Sequence, residues 1–342
     1  MFQEIKQDSP YQINNSNGFP LPWRVLITDV VARDGFQNEN LFIPTPDKIE
    51  VIKGLVKAGM TSIEATSFVH PNVVPQLVDA AETLAGLPAY PGVVFSALIP
   101  NIKGAQRALA AGVKELHLVL SASESHNRAN LNRSVDESLA QQAQVVDFVR
   151  SENSQVKMVA SIATAFHCPF EGRTSIDRLG YVAGKLAAMG LESINLADTD
   201  GAAHPLQVWQ TVTTLKAQFP KVNFSLHLHN TRDMGLANVV AGLQAGITEF
   251  DAALGGIGGC PFSPGASGNL ATEDLVHMLH EMGIETGLNL DALIVESKKL
   301  SQLVGHPVPS HVTQAGPSSA LRSFQDVKIA SANQIAQKVL SS

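Results

Sequence analysis

Two short segments, far apart in the sequence, carry the residue types of a metal-dependent catalytic site. The first places Arg33 directly before Asp34, where an apolar stretch breaks at a glycine. A carboxylate beside a guanidinium suits a site that binds a cation and neutralises a developing oxyanion. The second is an H-x-H pair, His227 and His229, in a strand-like segment. Residues two apart in a strand share a face, so both imidazoles can bind one ion.

A candidate amide ligand, Asn269, follows a glycine-rich stretch. Two imidazoles, one carboxylate, one amide oxygen and room for a bidentate ligand favour octahedral Mg²⁺ or Mn²⁺, with zinc as the alternative. The competing interpretation of the H-x-H pair is two hydrogen-bonded core histidines. That of Arg33 and Asp34 is an exposed ion pair of little energetic consequence.

Other polar residues are predicted to lie near the same place. Glu64 and Asp198 each close a predicted strand. Glu64 is expected to bond Arg33 or to support the metal ligands, whereas Asp198 alternatively caps the next turn. The loop 255–268 contains six glycines and two prolines, a composition that fits a mobile lid carrying Cys260. Cys168 is interpreted as a buried structural thiol.

The elements that must position these residues follow a repeated pattern. A helix-like run ends in a small residue and glycine, and an alternating strand follows. Glycine favours the left-handed turn that ends a helix, so each repeat marks a helix-to-strand junction. The junctions are Ala58–Glu64, Ala111–His117, Met189–Asn195 and Ala245–Asp251. Further strands are predicted at Arg24–Val31, Val93–Leu98, Val156–Ile162 and Val222–His229.

Eight strands alternating with helices, such as those predicted at Pro46–Ala58, Val135–Ser151 and Thr174–Met189, indicate an α/β fold of the (β/α)₈ TIM-barrel type. An open doubly wound sheet is disfavoured because the chain has no glycine-rich phosphate loop of the required register. In a barrel, functional residues lie where the strands end.

Three regions are expected along the chain. Residues 1–22 form a polar N-terminal extension, and residues 23–304 form the catalytic barrel with closing helices at Asp274–Gly283 and Leu290–Val304. Residues 305–342 form a C-terminal tail.

Composition narrows the function classes. Of the 342 residues, 44% are hydrophobic and 16% charged, which supplies a large core. The net charge of −7 disfavours nucleic acid as a partner. We expect no membrane association, since no run of about 18 apolar residues occurs. The N-terminus has no signal-peptide pattern, and two cysteines form no disulfide framework, which together predict a cytoplasmic protein.

Three motifs resemble those of the 3-hydroxy-3-methylglutaryl-CoA lyases, a branch of the metal-dependent barrel lyases and Claisen-type synthases. Asp29–Glu39 resembles the family's R-D-G-[LF]-Q-N-E opening, and Glu64–Val69 its E-x-T-S-F-V segment. Gly258–Asp274 is similar to the catalytic-loop signature over nearly its whole length. The likeness spans Arg24 to Val304.

The resemblance implies a role for each candidate residue. Arg33 would stabilise the enolate of acetyl-CoA, Cys260 would lie on the lid near the reprotonated carbon, and an Asp or His of the cluster, Asp34 or His227, or a water would take the hydroxyl proton. CoA would lie across the rim, and the chain would form a homodimer or a higher homo-oligomer. The implied metal ligands are Asp34, His227, His229 and Asn269, and the implied polar partners of the substrate are Gln37, Glu64 and Asp198.

The implied reaction is cleavage of 3-hydroxy-3-methylglutaryl-CoA to acetoacetate and acetyl-CoA. His167, Asp200 and Asn230 depart from the family pattern and leave the acyl group open, so a lyase for a related substrate such as citramalyl-CoA is the nearest alternative. A condensing synthase and a non-catalytic CoA- or metal-binding barrel are further alternatives.

Overall fold

A closed barrel of eight parallel strands forms the centre of the molecule, in a computed structural model that describes residues 21–259 and 268–321. Each strand lies beside the next one in sequence, and the last pairs with the first through Thr28 and Asp251. The predicted (β/α)₈ barrel is therefore confirmed. The strands are β1 (Leu26–Asp29), β2 (Ser62–Ser67), β3 (Val94–Ile99), β4 (Glu115–Ser121), β5 (Lys157–Ala163), β6 (Ser193–Asp198), β7 (Asn223–Leu228) and β8 (Glu249–Ala252).

Helices follow the strands and surround the barrel, and additional helices come after β8, as predicted. A two-stranded hairpin, His167–Cys168 with Gly172–Arg173, lies between β5 and the next helix. It contains Cys168, which is buried, as expected for a structural thiol. The helices are α1 (Thr45–Lys57), α2 (Ala80–Ala85), α3 (Ile102–Ala110), α4 (Glu124–Leu131), α5 (Val135–Glu152), α6 (Ile176–Ala188), α7 (Pro205–Gln218), α8 (Gly235–Gln244), α9 (Thr272–Glu281), α10 (Leu290–Val304) and α11 (His311–Ala315).

The four predicted helix-to-strand junctions are present. Their glycines, Gly59, Gly112, Gly190 and Gly246, have φ of 98°, 80°, 78° and 83°. A residue with a side chain is strained in this left-handed region, which explains why glycine recurs there. In each junction the chain turns directly into the following strand.

Apolar and polar side chains alternate along the barrel strands. Outward residues such as Ile63, Leu116 and Ile194 are fully buried against the helices. Their neighbours face the barrel axis and contact each other between adjacent strands; for example, Thr28 Oγ1 on β1 lies 2.9 Å from Ser62 Oγ on β2. The interior is therefore polar, with a cavity of about 490 Å³ at the end where the strands begin and one of about 140 Å³ at the end where they finish.

Buried carboxylates attach the closing helices to the barrel. Glu273 on α9 accepts hydrogen bonds from Gly255 N at 3.0 Å and from Thr313 Oγ1 on α11 at 2.7 Å. Asp274 accepts from Ser310 Oγ at 2.8 Å and caps α11. The region predicted as a tail thus begins with a packed helix. Over the two described ranges, no helix has the length and apolarity that crossing a bilayer requires.

Candidate active site

The R-D pair lies in a single π-helical turn, Val31–Gly35, that follows β1 directly. Asp29 fixes this turn from below, because its carboxylate accepts from Val31 N at 2.9 Å and from Thr272 Oγ1 at 2.7 Å. The wide turn brings Arg33 and Asp34 inward over the ends of the strands. As expected, the pair lies at the rim of the barrel, and Asp34 is 6% exposed.

The structure brings Asp34 together with both histidines of the H-x-H pair. One potential ligand atom from each of Asp34, His227 and His229 lies within 4.8 Å of the others. The two Nε2 atoms are 3.1 Å apart, and Asp34 Oδ2 is 4.0 Å from His229 Nε2. Three donors converging on one point match the predicted cluster and fit a divalent cation.

The charge states of Asp34 and His229 suit ligation, whereas for His227 the effect of burial is outweighed by the contact to Asp251, which raises the pKa of that imidazole. Burial opposes ionisation of Asp34, but Arg33 and the two imidazoles outweigh it and lower the pKa of this carboxyl. Burial, together with the neighbouring His227, lowers the pKa of His229 to about 4, which keeps that imidazole neutral. A neutral imidazole and an ionised carboxylate are the forms that bind a metal.

Asn269 contacts the cluster from the loop after β8. Its amide nitrogen donates to Asp34 Oδ2 at 2.7 Å and to Ile257 O at 3.0 Å. A backbone bridge between Asn269 and His229 holds the loop in place. Gly258 permits this approach, since a Cβ there would lie 2.4 Å from the Asn269 amide nitrogen.

Arg33 is held by carboxylates on two sides. Its Nε donates to Glu64 Oε2 at 2.6 Å, and its Nη1 contacts Asp34 Oδ1. Gln37 Nε2 donates to the same Asp34 oxygen at 3.3 Å. Burial opposes the charge on Arg33, but the two carboxylates raise its pKa, so the guanidinium stays charged. It lines the rim cavity beside the cluster, where it can stabilise an anionic oxygen.

The structure places Glu64 differently from the prediction, whereas Asp198 ends β6 as predicted. Glu64 does not end β2 but is its third residue, because the strand continues to Ser67. Its carboxylate therefore lies inside the barrel, below Arg33. The carboxylate of Asp198 accepts from Ala202 N and Ala203 N at 3.1 Å each, the turn-capping arrangement that sequence offered as the alternative. The site therefore brings Glu64 to Arg33, whereas the bonds described for Asp198 go to its own turn.

Cys260 and most of the predicted lid lie outside the described residues. The predicted lid residues before it, 255–259, are described and adjoin the cluster. Asn38 Nδ2 donates to Gly259 O at 2.7 Å, which joins the start of the lid to the segment after the R-D turn. The loop predicted as a lid therefore begins next to the cluster of Asp34, His227 and His229.

Three polar residues at the site were missed by sequence reasoning. Asp251 on β8 has Oδ2 3.1 Å from His227 Nδ1, and it also accepts from Asn195 Nδ2 at 3.1 Å. His117 on β4 lies 3.2 Å from Glu64 Oε1. All three follow an apolar, outward-facing residue in a strand. This alternation is the signal that identifies them, because it predicts an inward-facing side chain in a barrel.

A family model named HMGL-like matches residues 24–300. The Bacillus subtilis hydroxymethylglutaryl-CoA lyase YngG is 43% identical over 300 residues, 88% of this chain and 100% of its own length. The (R)-citramalyl-CoA lyase of Chloroflexus aurantiacus is also 43% identical, over 86% of this chain and 95% of its own.

Solved structures of hydroxymethylglutaryl-CoA lyases are also similar to this chain. An HMG-CoA lyase from Acinetobacter baumannii, in complex with coenzyme A and 3-methylmalate, superposes with a TM-score of 0.84 and 42% identity. The match covers 88% of this chain and 98% of that one. The similarity therefore extends over the whole barrel and includes the segments that carry the cluster.

Proposed function

The chain belongs to the HMGL-like family, and from this membership we propose that it is a carbon–carbon lyase that cleaves 3-hydroxy-3-methylglutaryl-CoA to acetoacetate and acetyl-CoA. The observation that carries the proposal is the convergence of Asp34, His227 and His229 beside Arg33. A retro-Claisen cleavage needs a proton removed from a hydroxyl and a cationic partner for the enolate, and this arrangement can supply both.

Asp34, His227, His229 and Asn269 would hold a divalent cation, Mg²⁺ or Mn²⁺, with Asn269 turning its amide so that the oxygen faces the cluster. Bound there, the cation would lower the pKa of the substrate hydroxyl and orient the substrate. Asp251 would fix the tautomer and orientation of His227 through the 3.1 Å contact to Nδ1.

Arg33 would bind the thioester oxygen, on which negative charge grows as the carbon–carbon bond breaks. Glu64 fixes the direction of the guanidinium, so little reorganisation accompanies the reaction. Asp34 or His227 would accept the hydroxyl proton, and Cys260 on the lid would contribute to protonation of the acetyl carbon. Gln37 and Asp198 would act as polar partners of the substrate or its ligands.

Two candidate substrates share the CoA thioester and differ in the acyl group. The 43% identity to an (R)-citramalyl-CoA lyase supports citramalyl-CoA as the second candidate substrate. Two of the residues at which the chain departs from the family pattern are paired in the structure, with His167 Nδ1 2.6 Å from Asp200 Oδ2. The two candidate acyl groups carry the same β-hydroxyl and differ by one methylene before the distal carboxylate, and this pair offers a polar contact that the distal end could use.

We further propose an acyl-CoA substrate, a homodimeric assembly and a cytoplasmic location, the last two on the family resemblance and the low cysteine content. Residues 1–22 and 305–342 are proposed to flank a catalytic unit of 23–304.

The deciding experiment measures acetyl-CoA release from 3-hydroxy-3-methylglutaryl-CoA and from citramalyl-CoA, each with Mg²⁺ or Mn²⁺ and with EDTA. We expect cation-dependent cleavage, faster with the first substrate. Faster cleavage of citramalyl-CoA would reassign the substrate while keeping the reaction. No release from either compound would contradict a lyase and favour a binding protein.

A further inference from the structure

A line of alternating charges runs down the barrel interior from Arg33. Glu64 Oε2 accepts from Arg33 Nε at 2.6 Å, and Glu64 Oε1 lies 3.2 Å from His117 Nδ1. The other ring nitrogen of His117, Nε2, lies 3.2 Å from Glu115 Oε1. The line begins at the rim cavity and ends at the lower cavity, which Glu115 lines.

These groups come from two strands and from the turn after β1, and they meet because the barrel wall curves. Glu64 is on β2, and Glu115 and His117 are on β4. Between them, Ser96 on β3 pairs in register with both Glu64 and Glu115. Its short side chain leaves the space in which the imidazole and the carboxylate approach each other.

Glu64 and His117 are both buried, so each depends on an oppositely charged partner for its stability. Glu64 is 1% exposed and His117 8%. An isolated carboxylate at such a position would be strongly penalised, whereas one that is paired on both oxygens is stable. Burial opposes protonation of His117, but Glu115 and Glu64 outweigh it and raise its pKa to about 10, so the ring is a cation at neutral pH. Both Glu64 oxygens therefore face a positive group.

We propose that His117 is a positioning residue for the lyase reaction: by holding Glu64 Oε1, it fixes the other carboxylate oxygen on Arg33 and so fixes the guanidinium toward the substrate. Without it, Glu64 Oε1 would be uncompensated, and the carboxylate would rotate or shift to regain a partner. Arg33 would then lose its fixed direction. The inference rests on the proposed function, in which Arg33 stabilises the enolate.

Three substitutions separate the two contacts of the ring. In His117→Asn the side-chain amide nitrogen can occupy the place of Nδ1 and keep a donor toward Glu64. In His117→Gln it can occupy the place of Nε2 and keep a donor toward Glu115. His117→Leu keeps neither. A control, Ser62→Ala, removes a polar group on the same strand and face as Glu64 but outside the line.

We expect His117→Leu and His117→Gln to lower kcat roughly 10- to 100-fold with little change in KM, and His117→Asn to recover to within about threefold of the unsubstituted enzyme. Ser62→Ala should be unchanged. A purely structural role would instead make activity follow the melting temperature, with no advantage of Asn over Gln. Equal kcat values for the three His117 variants at equal folded fraction would overturn the proposal.

A second measurement does not depend on turnover. The Nε proton of Arg33 can be followed in ¹⁵N-edited NMR spectra and assigned by the loss of its resonance in Arg33→Gln. This proton should exchange slowly with water in the unsubstituted protein and in His117→Asn. It should exchange faster in His117→Leu. Unchanged exchange in His117→Leu would refute the positioning role, even if the enzyme cleaved neither thioester.

Discussion

Arg33 keeps its positive charge in a largely enclosed site because carboxylates lie beside it. The guanidinium has two acidic neighbours, Glu64 and Asp34, and its side chain is 13% exposed. Glu64 binds Nε, whereas Asp34 also belongs to the candidate metal cluster with His227 and His229. The remaining N–H groups can therefore bind a developing oxyanion while the charge is balanced.

Arg33→Gln should lower kcat about 100- to 1,000-fold, because loss of an oxyanion donor is worth roughly 3–4 kcal/mol. Mn²⁺ affinity, measured by titration calorimetry, should change little, since the ligands are other residues. Arg133→Gln, at an exposed position, is the matched control. Near-normal turnover of Arg33→Gln would remove Arg33 from the chemistry.

Among the elements, the segments that enclose the site are held by buried polar contacts. Glu273 on α9 joins Gly255, at the beginning of the glycine-rich loop, to Thr313 on α11. Thr313 Oγ1 lies also 2.8 Å from Ser297 Oγ on α10. The closing helices thereby support the loop in which Gly258 adjoins Asn269 and Asp34.

Glu273→Ala should lower the free energy of unfolding by about 2–4 kcal/mol, because it leaves buried donors without their acceptor. For a chain of this size we expect a fall in melting temperature of about 3–6 °C, because the entropy of unfolding is about 2.1 cal/mol/K per residue. Activity should also fall at temperatures where the protein is still folded, as the loop loses its support. Glu281 is an exposed glutamate on the same helix, and Glu281→Ala should behave like the unsubstituted protein. An equal loss of stability and activity in both variants would contradict the role of Glu273 in joining the loop to α11.

Across the whole molecule, buried carboxyls make stability depend on pH. Burial raises the pKa of Asp29 and of Asp198 to about 7, from an ordinary value of 3.8. Between these values the folded protein binds more protons than the unfolded chain. The stability that these two carboxyls contribute therefore falls as the pH rises from about 4 to about 7, and each pKa unit corresponds to roughly 1.4 kcal/mol.

Asp29→Asn should flatten this dependence, because the amide oxygen can still accept from Val31 N while no proton is released. Melting temperatures measured from pH 5 to pH 8 in EDTA should fall less in the variant than in the unsubstituted protein. Asp147→Asn, at an exposed position on α5, should follow the unsubstituted curve. A slope that Asp29→Asn leaves intact would contradict the protonated state assigned to Asp29.

The sequence alone determined the barrel, the order of its elements and the core of the site. Periodicity and junction glycines are local signals, and the H-x-H pair and the R-D turn each lie within a few residues, so all of them can be read from neighbouring positions. Placing both at the same rim required only the rule that barrel strands end on one side.

Only the tertiary structure decided which side chains meet inside the barrel. Glu64 with His117, and His227 with Asp251, are contacts between different strands. Nor did the sequence show that β2 extends past Glu64, or decide between a substrate contact and a turn cap for Asp198, whose carboxylate bonds to the backbone of its own turn. These contacts depend on the register between strands and on the small side chains, such as that of Ser96, that lie between the partners. The register and the curvature of the barrel wall involve several strands, so no local stretch of the chain determines them.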